Sequence, residues 1–125
     1  MNTGKRSILI IDDEEDIRFL LKRFLISHDY DVNEAENLLQ GFEMYRRHSP
    51  GIVILDVNLP DGNGIHYARQ FKQDDRILIF ISADNDHLTE NYRKCGADGF
   101  LKKPFEAKEL LNLIDRVKVD AGIIE

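Results

Sequence analysis

Unbroken apolar runs alternate along this chain with segments whose hydrophobic residues recur at helical spacing. Ile8–Ile11, Ile52–Leu55 and Ile77–Ile81 lack the polar alternation of a half-exposed strand. Runs of that kind predict strands buried on both faces, as in a parallel sheet covered by helices. Two less apolar candidates complete a set of five: Ser7–Ile11, Asp31–Ala35, Ile52–Leu55, Ile77–Ile81 and Gly99–Lys102.

The segments between them carry helical stripes. Ile17, Leu20, Leu21 and Phe24 form the first. Leu38, Phe42 and Tyr45 form the second, and Ile65, Ala68 and Phe71 the third. Leu88, Tyr92 and Cys95 give a thinner fourth, and Leu110, Leu113, Ile114 and Val117 a clear fifth. Punctuation agrees: Pro50-Gly51 precedes the third strand, Asp86 suits a helix start, and Gly96 suits a helix end. Strand and helix alternating in this way predict an α/β three-layer sandwich around a parallel sheet. Residues 1–125 read as one domain with its core from about 7 to 119.

Composition narrows the function classes. Apolar residues make up 42%, which argues for a packed core, and the formal net charge of −6 argues against direct nucleic-acid binding. No apolar run reaches the roughly 20 residues of a membrane span, and Met1–Arg6 does not read as a signal peptide. The single cysteine, Cys95, forms no internal disulfide and fits a cytoplasmic location. It reads as a small apolar helix residue. His28, His48, His66 and His87 show no ligand spacing and read as surface residues.

The chemistry gathers where strands end. The first predicted strand runs into Asp12-Asp13-Glu14 and the third into Asp56. Clustered carboxylates need a cation or another source of compensation. Doubly wound sheets bind ligands outside the carboxyl ends of their strands, where strand order reverses. In the flavodoxin-like order 2-1-3-4-5 that point lies between strands one and three, beside these acids. The fourth strand runs into Ser82 and the fifth into Lys102-Lys103-Pro104. Each alone has a plain reading. Asp13 or Glu14 would cap a helix, Ser82 would sit in a turn, and Lys103 would be a solvated charge. Their joint order points elsewhere.

An acid pair, a lone aspartate, a serine and Lys-Pro after successive strands closely resemble the receiver domain of two-component response regulators, including the chemotaxis receivers. The resemblance runs from Ile8 to about Val117. It implies a flavodoxin-like (βα)5 fold and a phosphoacceptor at Asp56, since a carboxylate can attack phosphorus and form an acyl phosphate. It implies Mg²⁺ held by Asp12, Asp13, Asp56 and the backbone carbonyl of Asn58. Lys103, directly before proline, would pair with Asp56 and then with the phosphoryl group; its neighbour Lys102 is the competitor. A cis Lys103-Pro104 peptide is also implied. Ser82 would donate to the phosphoryl oxygen and, with Phe100, would switch the surface of the fourth helix, fifth strand and fifth helix. Many receivers have tyrosine where this chain has Phe100, and methionine where it has Gly62, which would loosen that loop. Asp84 and Asn58 border the cleft and would influence water access. Glu14 would face solvent or cap the first helix.

The implied partners are a histidine kinase or phosphotransfer protein and a downstream protein or output domain, with no membrane contact. The implied state is a monomer or a phosphorylation-dependent dimer. Such a domain catalyses only its own phosphorylation and dephosphorylation and is not a turnover enzyme. A free-standing receiver and a receiver within a longer regulator or hybrid kinase both fit the pattern. Leu111, Ile123 and Ile124 would extend the last helix or touch a partner.

Other readings fit less well. An EF-hand fails because acid and glycine come one position late and Tyr67 stands where its last glutamate belongs. An aspartyl hydrolase needs a second acid where Asn58 stands, and nucleotide-binding glycine motifs are lacking after the first strand. The alternative is a pseudo-receiver, a binding module without phosphorylation.

Overall fold

A computed structural model describes residues 6–73, 75–83 and 88–123, with only the backbone of Leu88 and Thr89. Residues 1–5, Asp84, Asp86, His87 and Ile124, all considered above, lie outside the described residues.

The elements in chain order are β1 (Ser7–Ile11), α1 (Glu15–Ile26), β2 (Asp31–Ala35), α2 (Leu38–His48), β3 (Ile52–Asp56), β4 (Asn58–Leu59), β5 (Gly62–Asn63), α3 (Gly64–Phe71), β6 (Ile77–Ser82), α4 (Leu88–Asn91), β7 (Gly99–Lys102) and α5 (Ala107–Asp120). The main sheet has the order β2-β1-β3-β6-β7, and every neighbouring pair is parallel. This is the flavodoxin-like order, with β6 and β7 as its fourth and fifth strands.

The solid apolar runs are explained by two cores, one on each face of the sheet. Leu9, Ile11, Val53, Leu55, Leu78 and Phe80 pack with Leu38 and Tyr45 of α2 and Ala68 and Phe71 of α3. The alternate strand residues, among them Ile8, Ile10, Ile54 and Ile79, pack with Leu21 and Leu25 of α1 and Leu110, Ile114 and Val117 of α5. A polar residue at any of these strand positions would face a helix, so none is tolerated. β2 lies at the sheet edge and can carry polar residues. Its Glu34 meets Arg18 at 2.9 Å and Lys22 at 3.3 Å on α1.

Four details depart from the sequence pattern. Leu20 is exposed and Leu25 takes its place in the core, because the stripe of α1 is centred one position later. Among the described residues the fourth helix is Leu88–Asn91. Residues 92–96 form turns in which Cys95 N–H and Gly96 N–H bond back three residues to Tyr92 and Arg93. Gly96 closes them at φ +103°, a left-handed conformation suited to glycine. β3 and β6 each run one residue further than predicted, so Asp56 and Ser82 are the last residues of strands.

The fourth departure is the loop after Asp56, which is tied down and not loosened by Gly62. Asn58–Leu59 and Gly62–Asn63 form a small antiparallel hairpin. A Cβ on Gly62 would lie 2.9 Å from Leu38 Cδ1. The Asp61 carboxylate accepts the Leu38 and Leu39 N–H groups at 2.8 and 3.0 Å, at the start of α2. Burial alone would raise the Asp61 pKa, but these two N–H groups outweigh it and hold the carboxyl below its ordinary range.

Candidate functional site

Parallel strands deliver their carboxyl ends to one edge, and four strand ends build the site there. Asp12 follows β1 directly, and its N–H bonds to the Ala35 carbonyl at 3.0 Å, which continues the ladder by one residue. Its side chain is fully buried. Asp12 Oδ1 accepts the Glu14 N–H at 2.8 Å, and the Asp12 carbonyl accepts from Arg18 Nη1 at 2.7 Å. Asp13 and Glu14 are exposed.

Asp56 is 4% exposed. Gly64 lets α3 start against its backbone: a Cβ there would stand 2.7 Å from the Asp56 carbonyl oxygen. Asp56 Oδ1 accepts the Asn58 N–H at 3.1 Å. The Asn58 side-chain amide donates to Ser82 Oγ in a long contact of 3.5 Å. Asn58 thus links Asp56 to the fully buried Ser82.

Lys103 N–H bonds to the Ser82 carbonyl at 2.9 Å, which extends β7 past β6 and aims the next side chain across the edge. Its Nζ lies 2.9 Å from Asp12 Oδ2, 2.9 Å from Glu14 Oε2 and 3.1 Å from Asp56 Oδ2. The contacts to Glu14 and Asp56 have hydrogen-bonding geometry. The contact to Asp12 joins the charges without it, so among the described residues buried Oδ2 has no directed donor. Lys102 is exposed, and the lysine in the cleft is Lys103. The Lys103-Pro104 peptide is cis.

Electrostatics follow from burial and crowding. Burial pushes the Asp56 pKa up, the Asp12 charge adds to it, and Lys103 with the Asn58 N–H only partly offsets them, leaving it at about 6. Burial likewise raises Asp12 above its ordinary value against the Glu14 N–H and Lys103. For Lys103, burial pulls the pKa down, but hydrogen bonds to Glu14 and contacts with Asp12 and Asp56 outweigh it and hold it well above the usual lysine range.

Asp12, Asp13, Glu14 and Asp56 each offer an oxygen, and these oxygens all lie within 4.8 Å of one another. Of these, Asp12, Asp13 and Asp56 make an all-oxygen set in which buried Asp12 Oδ2 has no directed donor among the described residues, which fits a hard divalent cation such as Mg²⁺, while Glu14 Oε2 is held by Lys103. Phe100 on β7 pairs in register with Phe80 and is half-buried against the core on the α2 and α3 face. Beside the acids lies an apolar groove of about 330 Å³, lined by Ile17, Leu20, Leu21, Ala83, Pro104 and Phe105.

Three of these partners take roles that the sequence does not announce. The sequence points to the Asn58 carbonyl and to water access, whereas the Asn58 N–H and amide hold Asp56 and Ser82. Glu14 occupies the residue before α1 but caps nothing with its side chain. Asp61 fits in the sequence only an EF-hand pattern that fails, yet its carboxylate accepts the first N–H groups of α2. The Asn58–Ser82, Glu14–Lys103 and Asp61–Leu38 contacts have no local sequence signal, because each partner is remote in the chain.

Fold and site together define a doubly wound α/β domain with a buried aspartate, a lysine and further acids at the strand-order reversal. The family described as response regulator receiver domain matches residues 8–115. The chain is 34% identical over 113 residues to the chemotaxis protein CheY of Bacillus subtilis, covering 87% of this chain and 94% of that one. A CheY-like receiver domain protein from Methanospirillum hungatei shares the fold at TM-score 0.84 and 22% identity, over 94% of this chain and 96% of that one. The beryllofluoride-activated NtrC4 receiver domain dimer superimposes at TM-score 0.83 with 27% identity, over 93% of this chain and 98% of that one. The chain belongs to the response regulator receiver domain family.

Proposed function

We propose that this receiver domain accepts a phosphoryl group on Asp56 from a phosphohistidine of a histidine kinase or phosphotransfer protein. The observation that carries this reading is the Lys103 ammonium 3.1 Å from a buried aspartate and 2.9 Å from a second. A carboxylate pKa of about 6 leaves Asp56 mostly ionised at neutral pH, as a nucleophile needs.

An Asp56 carboxylate oxygen attacks phosphorus. The phosphorus–nitrogen bond to the donor imidazole breaks, and its electron pair returns to that ring. The product is a mixed anhydride of Asp56. Lys103 pairs with the phosphoryl oxygens, and the Ser82 hydroxyl donates to one of them. In dephosphorylation water attacks phosphorus and the electron pair of the phosphorus–oxygen bond returns to the Asp56 carboxylate. Asp12, Asp13, Asp56 and the Asn58 carbonyl would hold Mg²⁺. When bound, it neutralises charge that would otherwise oppose attack of one anion on another. The apolar groove beside Lys103 gives a donor protein a surface next to the nucleophile. The domain acts once on itself per phosphoryl group and is not a turnover enzyme.

Output runs through Ser82 and Phe100. As Ser82 turns to the phosphoryl group, Phe100 shifts on β7, and the surface of α4, β7 and α5 changes for a downstream protein or output domain. Reversing a 1:99 population takes about 5.5 kcal/mol of differential stabilisation, within reach of several charge-assisted hydrogen bonds. Because a related receiver is described as a beryllofluoride-activated dimer, phosphorylation here would favour a dimer from a resting monomer. Among the described residues no helix is long and apolar enough to cross a membrane. The proposed site of action is the cytoplasm.

Incubation with Mg²⁺ and a small acyl phosphate tests the reading. A base-labile phosphate mass increment on wild type, lost in Asp56→Asn, supports it. Equal labelling of both overturns the site, and no labelling of wild type favours a pseudo-receiver.

A further inference from the structure

Lys103 serves three carboxylates, and they are not equivalent. The Asp12 and Asp56 side chains are 0% and 5% exposed, whereas Glu14 is 56% exposed. An ammonium has three N–H donors. Those with hydrogen-bonding geometry go to Asp56 and to Glu14. Glu14 therefore takes a donor that lies at the mouth of the cleft above Asp56.

The position of Glu14 makes this use of its side chain specific. It precedes α1 with extended backbone, the place from which a side chain normally accepts a helix N–H. Glu106 stands in the same place before α5 and stays with its own helix, its N–H donating to Glu109 Oε1 at 2.8 Å. Glu14 forgoes the cap and reaches Lys103 instead, across 89 positions of chain. Solvent around the Glu14 carboxylate weakens its pairing with Lys103 relative to the two buried acids. Glu14 is thus the partner that Lys103 can release at least cost when a phosphoryl group brings new acceptor oxygens to Asp56.

We infer that Glu14 is a positioning residue that competes with the phosphoryl group for the Lys103 ammonium. The inference rests on the phosphoacceptor reading above. Glu14 steadies the lysine over Asp56 at rest and weakens its hold on the phosphorylated state.

Beryllofluoride, which mimics a phosphoryl group on a carboxylate, supplies the test. It is titrated at fixed Mg²⁺ and followed by fluorine NMR on wild type, Glu14→Gln and Glu15→Gln. Mg²⁺ affinity is measured separately by calorimetry, and the Lys103 side-chain nitrogen signal is recorded at rest. Glu15 is exposed in the first turn of α1 and provides an equal change of charge. Glu14→Gln should half-saturate at about two- to fivefold lower beryllofluoride, the range set by an exposed pair. Its Mg²⁺ affinity should fall far less than that of Asp13→Asn, measured alongside, and the Lys103 signal should move in Glu14→Gln and not in Glu15→Gln. Three results overturn the inference: no change in Glu14→Gln, the same gain in Glu15→Gln, or a loss of Mg²⁺ affinity in Glu14→Gln as large as in Asp13→Asn, which would make Glu14 a metal ligand. Failure of wild type to bind beryllofluoride would instead overturn the phosphoacceptor reading, and the inference with it.

Discussion

Lys103 and Asp56 are 47 positions apart in the chain, yet Nζ and Oδ2 stand 3.1 Å apart. Neither group is at ease without the other. Asp56 is buried beside Asp12, and Lys103 is the cation that faces both. Substituting Lys103→Met leaves two buried carboxylates facing each other. Breaking a buried pair in this way costs on the order of 3 kcal/mol. Urea denaturation at pH 8 without divalent cations should show that loss, and it should shrink toward pH 5 as Asp56 takes up a proton.

The raised pKa of Asp56 makes a prediction of opposite sign for its own removal. Its folded value of about 6 exceeds the ordinary 3.8, so the folded state binds this proton more tightly. The stabilisation from proton binding is complete below the unfolded value and is lost as pH rises through the folded one. At pH 7 ionised Asp56 therefore costs stability, on the order of 2–3 kcal/mol. Metal-free Asp56→Asn should be more stable than wild type at pH 7 by that order, with the gap closing toward pH 4. A wild type more stable than the variant at pH 7 would contradict the assigned burial.

Much of this was legible in the chain because burial on both faces leaves a strong mark. The isoleucine-rich runs could only be inner strands, and an acid ending such a run, as Asp56 does, must lie at the sheet edge. Asp12, Ser82 and Lys103 were legible for the same reason. What escaped depends on geometry that adjacent residues do not encode. Leu20 and Leu25 are equally apolar, and only the docking of α1 selects Leu25. Tyr92 and Cys95 keep helical spacing, yet the helix stops at Asn91 because the stripe is too thin to hold another regular turn. Asp61 reaches a helix start that precedes it by 23 positions, which no local pattern announces.

That Asp61 contact holds the loop after the phosphoacceptor. Asp61→Ala should cost about 0.5–1 kcal/mol, as loss of an exposed helix-start partner does. Because the folded pKa lies below the ordinary value, this stabilisation is present above about pH 4 and is lost as pH falls through the folded pKa. Amide hydrogen exchange at Leu38 and Leu39 should speed up in the variant at pH 7. Unchanged exchange would show that the carboxylate does not tie the loop.

Gly64 controls the backbone under Asp56. A methyl group 2.7 Å from the Asp56 carbonyl oxygen must push α3 or β3 aside. Gly64→Ala should destabilise by about 1–3 kcal/mol, the usual cost of overpacking, and should slow labelling of Asp56 by an acyl phosphate. Wild-type stability together with wild-type labelling would contradict the close approach.

The central claim is that Asp56, and not another of the clustered acids, carries the phosphoryl group. After incubation with Mg²⁺ and an acyl phosphate, borohydride reduces an aspartyl phosphate to homoserine, which peptide mass spectrometry locates. The expected result is homoserine at position 56 alone, dependent on both Mg²⁺ and donor. Homoserine at position 12 or 13, or none at any position, would contradict the account.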